Sequence, residues 1–185
     1  MTVKHKKRKV ALDLCCGLGG WAAGFLLEGW RVVGVDIADF RADYPGEFVQ
    51  ADLMTWEGWR EIEAGIVVSS TPCEAFSRHS MPWTRKRNPP VPSLALWQRA
   101  AFIATQLDVP IVQENVRGAQ PWVGRAKCHY GPYYLWGDVP ALMPAFNGHT
   151  KQSHNGNAKS KRALIPVELA RFLAKLDWVH RTNNP

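Results

Sequence analysis

The most restrictive feature of the chain is a regular alternation of short apolar runs with helical patterns. The apolar runs, rich in valine, predict strands at 9–14, 31–37, 47–53, 66–70 and 109–116. Helical patterns lie between them at 21–29, 56–65 and 93–107, the last with Ser93 as its predicted N-cap. Strands that alternate with helices predict a mainly parallel, doubly wound sheet covered on both faces, which is an α/β fold.

After residue 120 the pattern changes to that of a β-hairpin. Residues 125–140 contain two aromatic-rich runs with a turn centred on Gly131 and Pro132. A polar loop follows, and helical periodicity then returns at Leu169, Phe172, Leu173 and Leu176. The 185 residues fit one domain, so we expect residues 1–185 to share a single core.

Charge favours a polyanionic partner. The formal net charge is +7, and basic residues cluster at 4–9, 85–87 and 159–162. A solvated, solubilising surface explains the same charge, so that alternative stays open. No apolar run is long enough to span a membrane and the first residues lack the features of a signal peptide, so we expect a cytoplasmic protein without a membrane partner.

The cysteine pattern favours thiols over disulfides or a metal site. A chain without an export signal is expected to keep its four cysteines reduced. Two of them are adjacent, at Cys15 and Cys16, and the chain has no C-x2-C pair with the spacing of zinc ligands. We therefore expect no bound metal.

A glycine-rich turn follows the first predicted strand in "LDLCCGLGGWAAGF" (12–25). Glycines at this place in a doubly wound fold let the backbone approach an adenosine-bearing cofactor, and a carboxylate at the end of the next strand binds ribose hydroxyls. Asp36 stands at that strand end. Asp52 follows the third strand, where it suits either an adenine amine or a helix cap.

Cys73 follows the fourth strand in "SSTPCEAFSRHS" (69–80), at the sheet edge where open α/β folds place their sites. A buried structural cysteine fits poorly between Pro72 and Glu74, and neighbouring basic side chains favour the nucleophilic thiolate. "QENV" ends the fifth strand and brings Glu114 and Asn115 to the same edge. A glutamate that only anchors a loop remains the alternative for Glu114.

These motifs, in this order and spacing, resemble the cytosine-5 DNA methyltransferase family. The likeness is carried by "DLCCGLGG" followed by "GF", by Asp36 and Asp52, and by "TPCEAFS" and "ENV". It covers residues 9–118 and is closest in pattern to small bacteriophage-type DNA cytosine methylases, which implies a prokaryotic or phage-infected cell. "RALIP" (162–166) is similar to the family's final motif, which flanks the cofactor pocket.

The resemblance implies a Rossmann-like methyltransferase fold with S-adenosylmethionine (SAM) as the cofactor and DNA as the partner. Gly17, Gly19 and Gly20 would line the amino-acid end of SAM, with Asp36 at the ribose and Asp52 at the adenine. The further cofactor contacts that it implies are Asp13, Cys15, Ile37, Leu53 and Pro72.

The resemblance also implies the catalytic residues. Cys73 would add to carbon 6 of a flipped cytosine while Glu114, with Asn115 beside it, contacts ring nitrogen 3, and carbon 5 would accept the methyl group. Arg125, with Lys127 as the alternative, occupies the region of the family arginine that meets the cytosine carbonyl.

The segment after Cys73 combines positive charge with an aromatic side chain, a mixture suited to phosphate contact and base stacking. A solvated flexible loop is the alternative. The residues that we expect to contact DNA are Arg78, Trp83, Arg85, Lys86 and Arg87.

Departures from the family pattern limit the resemblance. The family usually has phenylalanine at Cys15, proline at Thr71 and glutamine at Glu74, although none of these changes removes a catalytic group. The short insert at 138–162 leaves no room for a separate target-recognition domain, so we expect weak sequence specificity or specificity supplied by a partner or by self-association.

Other functions remain open. The same chemistry on RNA or on a free cytosine nucleotide is one, and a catalytically inactive nucleic-acid-binding homologue is another. A nicotinamide dehydrogenase would explain the glycine turn but neither Cys73 nor "ENV".

Overall fold

The computed structural model describes residues 9–82, 87–140, 143–145 and 164–178. Within these ranges the strands are β1 (Val10–Leu14), β2 (Arg31–Asp36), β3 (Glu47–Gln50), β4 (Ile66–Ser69), β5 (Ile111–Asn115), β6 (Cys128–Tyr130) and β7 (Tyr133–Gly137). They form one sheet in the order β3–β2–β1–β4–β5–β7–β6. β1 to β5 are parallel, whereas β7 is antiparallel to β5 and β6 is antiparallel to β7. The predicted doubly wound, mostly parallel sheet with a C-terminal hairpin is confirmed.

The helices cover both faces of this sheet. They are α1 (Gly20–Leu27), α2 (Glu74–Ser80), α3 (Ala95–Gln106), α4 (Gln120–Val123) and α5 (Val167–Ala174), with 3₁₀ turns at Gly58–Glu61 and Arg117–Ala119. α1 and α5 pack on one face and α3 packs on the other. Successive strand residues point to opposite faces, so Ala11 belongs to the first core and Leu12 to the second.

The position of β1 explains where a site can form. The chain runs from β1 outward to β2 and β3 on one side and returns to β4 and β5 on the other. Leu14, at the end of β1, pairs with Ser69, at the end of β4. The segments that follow these two strands therefore lie side by side at the carboxyl edge, where such sheets bind their ligands.

The predicted helix at 56–65 is wrong. Only a 3₁₀ turn forms, at Gly58–Glu61; there the amide of Arg60 donates to the carbonyl of Glu57 at 3.1 Å, and the carbonyl of Trp56 accepts a hydrogen bond from the guanidinium of Arg99 at 3.1 Å. The N-cap of α3 is Leu94 rather than Ser93, although Ser93 Oγ still accepts a hydrogen bond from the amide of Ala95 at 3.3 Å.

Two further elements lie where the sequence analysis predicted none. α2 begins directly after Cys73, and a 3₁₀ turn followed by α4 occupies Arg117–Val123. In the described part of the chain no helix combines the length and apolarity that crossing a membrane requires.

Candidate functional site

The glycine turn between β1 and α1 is held in an unusual backbone conformation. Cys15, Gly17 and Gly19 have φ of 56°, 51° and 79°. The amide of Gly17 donates to Asp36 Oδ2 at 3.0 Å, and Asp36 Oδ1 accepts the amide of Ala38 at 3.0 Å. A direct hydrogen bond thus joins the glycine turn to the carboxylate at the end of β2.

Two of the glycines are required by close packing. A Cβ on Gly19 would meet the Tyr44 ring at 2.9 Å, and a Cβ on Gly20 would meet the backbone of Ile165. Gly17 differs, because nothing lies within 4 Å of the place where its Cβ would be. The backbone at Gly17 is therefore open to a ligand while its neighbours are tightly packed.

The segment after β4 is fixed to both neighbouring strands. The amide of Ser70 donates to the carbonyl of Leu14 at 3.2 Å, and Ser70 Oγ accepts a hydrogen bond from the indole of Trp21 at 3.0 Å. The buried Asn115 donates its side-chain amide to Thr71, to the carbonyl at 2.9 Å and to Oγ1 at 3.2 Å. These bonds set the position of Cys73, which is half-buried and immediately precedes α2.

The glycine turn and Cys73 face the same cavity, which has a volume of about 370 Å³. One side is formed by the turn and by the segment after β2, through Cys15, Cys16, Gly17, Asp36, Ala38 and Phe40. The other side is formed by Ser70, Pro72 and Cys73, and Leu164 and Ile165 close it from the C-terminal segment. The prediction that "RALIP" returns to this pocket agrees with the place of these last two residues.

The four cysteines differ in environment, although all of them are thiols. Burial, followed by the nearby charge of Asp36, raises the pKa of Cys15 to about 12. Burial and then the charge of Asp13 raise the pKa of Cys16 still further, and burial also raises that of Cys128. Burial therefore disfavours the nucleophilic thiolate form at Cys15, Cys16 and Cys128.

A buried carboxyl lies beneath the glycine turn. Asp13 is fully buried in β1, and its Oδ2 accepts a hydrogen bond from the hydroxyl of Tyr44 at 3.1 Å. Desolvation raises the pKa of Asp13 well above its ordinary value. Asp13 lies beneath the turn, and it is not one of the described residues that line the cavity.

Three other predicted cofactor residues, Ile37, Asp52 and Leu53, are not among those that line the cavity. Asp52 Oδ1 accepts the amide of Met54 at 2.9 Å within a turn, and the next helical element is a 3₁₀ turn whose N-cap is Glu57, so Asp52 does not cap a helix. Leu53 is buried in the core beneath α3, whereas Ile37 is 69% exposed next to Asp36.

Glu114 is buried on β5 opposite Leu135 of β7. Burial raises the pKa of Tyr133 to about 12, and the nearby charge of Glu114 adds to that effect. The hydroxyl of Tyr133 donates to the carbonyl of Leu164 at 3.0 Å, on the cavity wall. Glu114 is thus one residue removed from the cavity, and in the described structure it is not part of the lining itself.

The residues predicted to contact DNA are only partly described. Arg78 and Arg87 are exposed, and Arg78 forms an ion pair with Glu74 at 4.0 Å along α2. Trp83, Arg85 and Lys86 lie outside the described residues. Arg125 lines a second cavity, at the C-terminal end of α2.

The sequence analysis did not identify Trp21, Ser70 or Phe40 as part of the site. Trp21 had a recognisable signal, since it is the first large side chain of the helix that follows the glycines. Ser70 and Phe40 had none, because their roles depend on contacts between segments that are distant in sequence.

Comparisons with solved structures give only a fold-level likeness. A substituted DNMT2 from Spodoptera frugiperda is 22% identical, covers 61% of this chain and 37% of its own, and superposes with a TM-score of 0.43. The Dnmt2 methyltransferase of S. pombe is 17% identical, covers 62% of this chain and 36% of its own, and superposes with a TM-score of 0.40. A glycopeptide N-methyltransferase, MtfA, complexed with SAM is 16% identical, covers 72% of this chain and 60% of its own, and superposes with a TM-score of 0.35.

The chain thus spans less than two-fifths of the length of the two DNMT2 structures. A scan against protein-family models gives no match, and a comparison with curated proteins gives none.

Proposed function

We propose that this chain is a SAM-dependent methyltransferase that methylates carbon 5 of cytosine in DNA, with Cys73 as the nucleophile. The observation that carries the proposal is the single cavity that has the glycine turn and Asp36 on one side and Cys73 on the other. A cofactor bound on the turn would lie beside a base brought to Cys73.

The residues around the turn suit SAM. The backbone at Gly17 is open, and each carboxylate oxygen of Asp36 keeps a lone pair for a ribose hydroxyl after accepting one backbone hydrogen bond. The cavity volume lies within the usual range for small-molecule sites. When bound, SAM supplies an electrophilic methyl group.

The chain's own residues would make carbon 5 reactive. Carbon 5 of an aromatic pyrimidine is a poor nucleophile, and addition of the Cys73 thiolate to carbon 6 breaks the ring conjugation and moves electron density to carbon 5. The proposal requires Glu114, which does not line the cavity in the described structure, to reach ring nitrogen 3 when the base binds, and that contact would favour the addition. After methylation, loss of the carbon 5 proton breaks the sulfur–carbon bond and returns the thiolate.

The proposed chemistry also requires the target base to leave the duplex stack, because carbon 6 is otherwise hidden. On the protein side, Asn115 fixes the position of Thr71, two residues before the nucleophile, through two hydrogen bonds. The thiol is therefore held in place before the base arrives, which lowers the entropy cost of the attack.

A trapping experiment tests the proposal. With SAM and DNA that contains 5-fluorocytosine, carbon 5 has no proton to lose, so the chain should remain bonded to the DNA through denaturing electrophoresis. Cys73→Ala should give no adduct while retaining SAM affinity. Cys128→Ala is the matched control, because Cys128 is a half-buried thiol on β6, and it should form the adduct as the wild type does.

The proposal is contradicted if the wild-type chain binds SAM and DNA in separate assays and yet forms no adduct and transfers no labelled methyl group. Parallel assays with DNA, RNA and dCMP as acceptors identify the substrate. If RNA or dCMP is methylated and DNA is not, that acceptor replaces DNA as the proposed substrate, and the proposed role of Cys73 is unchanged.

A further inference from the structure

A second cavity lies beside the proposed site, and we call it the basic groove. Its volume is about 860 Å³, and its walls include His79, Ser80, Arg117, Gly118, Trp122 and Arg125. One wall is the C-terminal end of α2, and the other is the segment that joins β5 to the hairpin. Of these wall residues, the sequence analysis assigned a role only to Arg125.

The two walls of the groove are packed firmly together. A Cβ on Gly118 would meet the carbonyl of Phe76 at 2.7 Å and Ser80 Cβ at 2.8 Å, so the 3₁₀ turn lies directly against α2. Phe76 is buried in a small core with Ala119 and Trp136. The groove is therefore a formed feature of the fold and needs no ligand to create it.

An aromatic pair joins the two walls of the groove. The rings of His79 and Trp122 are 5.1 Å apart in an edge-to-face arrangement, and His79 Nε2 lies 2.8 Å from the carbonyl of Pro90. Trp122 is only half-buried. An indole ring held in this way offers a stacking surface for a base.

The arginines of the groove differ from most others in the structure. Arg31, Arg60, Arg99 and Arg171 each have a glutamate oxygen within 2.7 Å. Within the residues that the structure describes, neither Arg117 nor Arg125 has a carboxylate partner or any side-chain hydrogen bond. Two exposed guanidinium groups in one groove, without counter-charges, favour an anionic ligand with more than one charge.

α2 connects the basic groove to Cys73. The helix begins immediately after Cys73 and ends at Ser80, so its seven residues span about 10 Å. That length corresponds to about three nucleotide steps along a nucleic-acid strand at 3.4 Å per step. A strand whose base enters the Cys73 cavity therefore has its neighbouring phosphates within reach of the groove.

We infer that the basic groove binds the phosphodiester backbone of the substrate strand, with phosphates on Arg117 and Arg125 and a flanking base against Trp122. This inference rests on the proposed function only for the identity of the strand. It assigns Arg125 to a phosphate, whereas the family resemblance assigns it to the cytosine carbonyl.

The test measures binding rather than methylation. A Cys73→Ala chain is titrated with single-stranded DNA and RNA oligonucleotides that contain one cytosine, over a range of salt concentrations. Each phosphate contact to a single strand contributes about 0.7 to the slope of log affinity against log salt. Arg117→Gln with Arg125→Gln should therefore lower that slope by about 1.4.

A control removes two basic side chains elsewhere on the surface, each of which pairs with a glutamate. Arg31 begins β2, and Lys175 follows α5 within 3.8 Å of Glu28, so both lie away from Cys73. Arg31→Gln with Lys175→Gln should leave the slope within error of the parent. An equal fall in both double variants would overturn the inference, because a general loss of charge would then explain it.

Two further arms identify the ligand. An oligonucleotide with an abasic site in place of the cytosine should show the same loss on Arg125→Gln, since a phosphate contact does not depend on the base. If Arg125→Gln weakens binding only of the cytosine oligonucleotide, Arg125 contacts the base, and its assignment to a phosphate is overturned. Polyglutamate of equal charge that binds as tightly and responds equally to the variants would overturn a nucleic-acid groove.

Failure of the groove and failure of the proposed function are distinguishable. If the trapping experiment fails while the slope falls as expected, the methylation proposal falls and the groove stands. If trapping succeeds and the slope is unchanged, only the groove is overturned. A DNA or RNA preference in the binding arms separates the two sources of the same phosphodiester chemistry.

Discussion

At the scale of single residues, the site depends on groups whose surroundings are set by distant parts of the chain. The alignment of strand ends was enough to predict that the glycine turn, Asp36 and Cys73 would meet, and they share one cavity. The pairing of Asp13 with Tyr44 was not predictable, because it joins residues 31 positions apart through a segment without a motif. The sequence alone did not distinguish the two roles considered for Asp52, an adenine contact and a helix cap.

The buried Asp13 should make stability depend on pH. Burial raises its pKa in the folded state above the ordinary value of about 3.9, so its contribution is fully present below that value and is lost as pH rises through the folded pKa. The free energy of unfolding should fall with rising pH, by at most about 1.4 kcal/mol per unit from this group. Asp13→Asn should remove that fall.

Urea denaturation of the wild type and of Asp13→Asn measures the free energy of unfolding at intervals of about one pH unit between pH 5 and 8, at constant ionic strength. Asp43→Asn, an exposed neighbour of Tyr44, serves as the control and should follow the wild type. Parallel profiles for the wild type and Asp13→Asn would contradict the raised pKa.

Asn115 should act as a positioning residue for Cys73. Asn115→Asp replaces an amide donor by an acceptor that faces the carbonyl and Oγ1 of Thr71, so the segment should shift. We expect kcat for methyl transfer to fall on the order of 10- to 100-fold, with SAM affinity changed less than about twofold. Thr71→Ser keeps both oxygens and should stay near wild-type kcat; equal losses from both variants would mean that the contact has no positioning role.

At the scale of elements, the long periodic segments were predictable and the short ones were not. α2 has one buried residue, Phe76, and lies between prolines, so no periodicity marks it in the sequence. The segment 56–65 has a helical pattern in the sequence, but only Gly58–Glu61 is helical, as a 3₁₀ turn. The carbonyl of Trp56 bonds to Arg99, a contact between residues 43 positions apart that local sequence does not indicate.

The packing of α1 against α5 yields a prediction about the cavity wall. A Cβ on Gly24 would meet the Cβ of Ala170 and lie 2.7 Å from the amide of Arg171, so the helices touch through backbone. Gly24→Ala should force α5 outward, lower the free energy of unfolding by about 1–3 kcal/mol and weaken SAM binding, because Ile165 closes the cavity just before α5.

Gly65→Ala is the matched control for this prediction. Its Cβ would meet nothing nearer than 3.6 Å, so stability and SAM affinity should be almost unchanged. Denaturation and calorimetric titration of SAM measure both quantities. Gly24→Ala with wild-type values would show that the two helices separate without cost.

At the scale of the whole molecule, positive charge is unevenly distributed along the chain. Residues 1–9 contain five basic and no acidic residues, and residues 139–167 contain four basic and no acidic residues. The rest of the chain therefore has 14 basic and 16 acidic residues, although the chain as a whole carries +7. A polyanion should be attracted to local basic regions, such as the basic groove, and repelled elsewhere.

The N-terminal cluster at 4–8 should then contribute to binding without contributing to chemistry. Replacing Lys4, Lys6, Lys7 and Arg8 by glutamine removes four charges from a segment that includes no residue of the proposed site. The slope of log affinity against log salt for single-stranded DNA should fall by about 0.7 for each charge that meets a phosphate, at most about 2.8, while kcat at saturating DNA stays unchanged. The lysine-to-arginine variant of the three lysines keeps the charge and should keep the slope; a fall there would show that the contacts depend on side-chain geometry instead of charge.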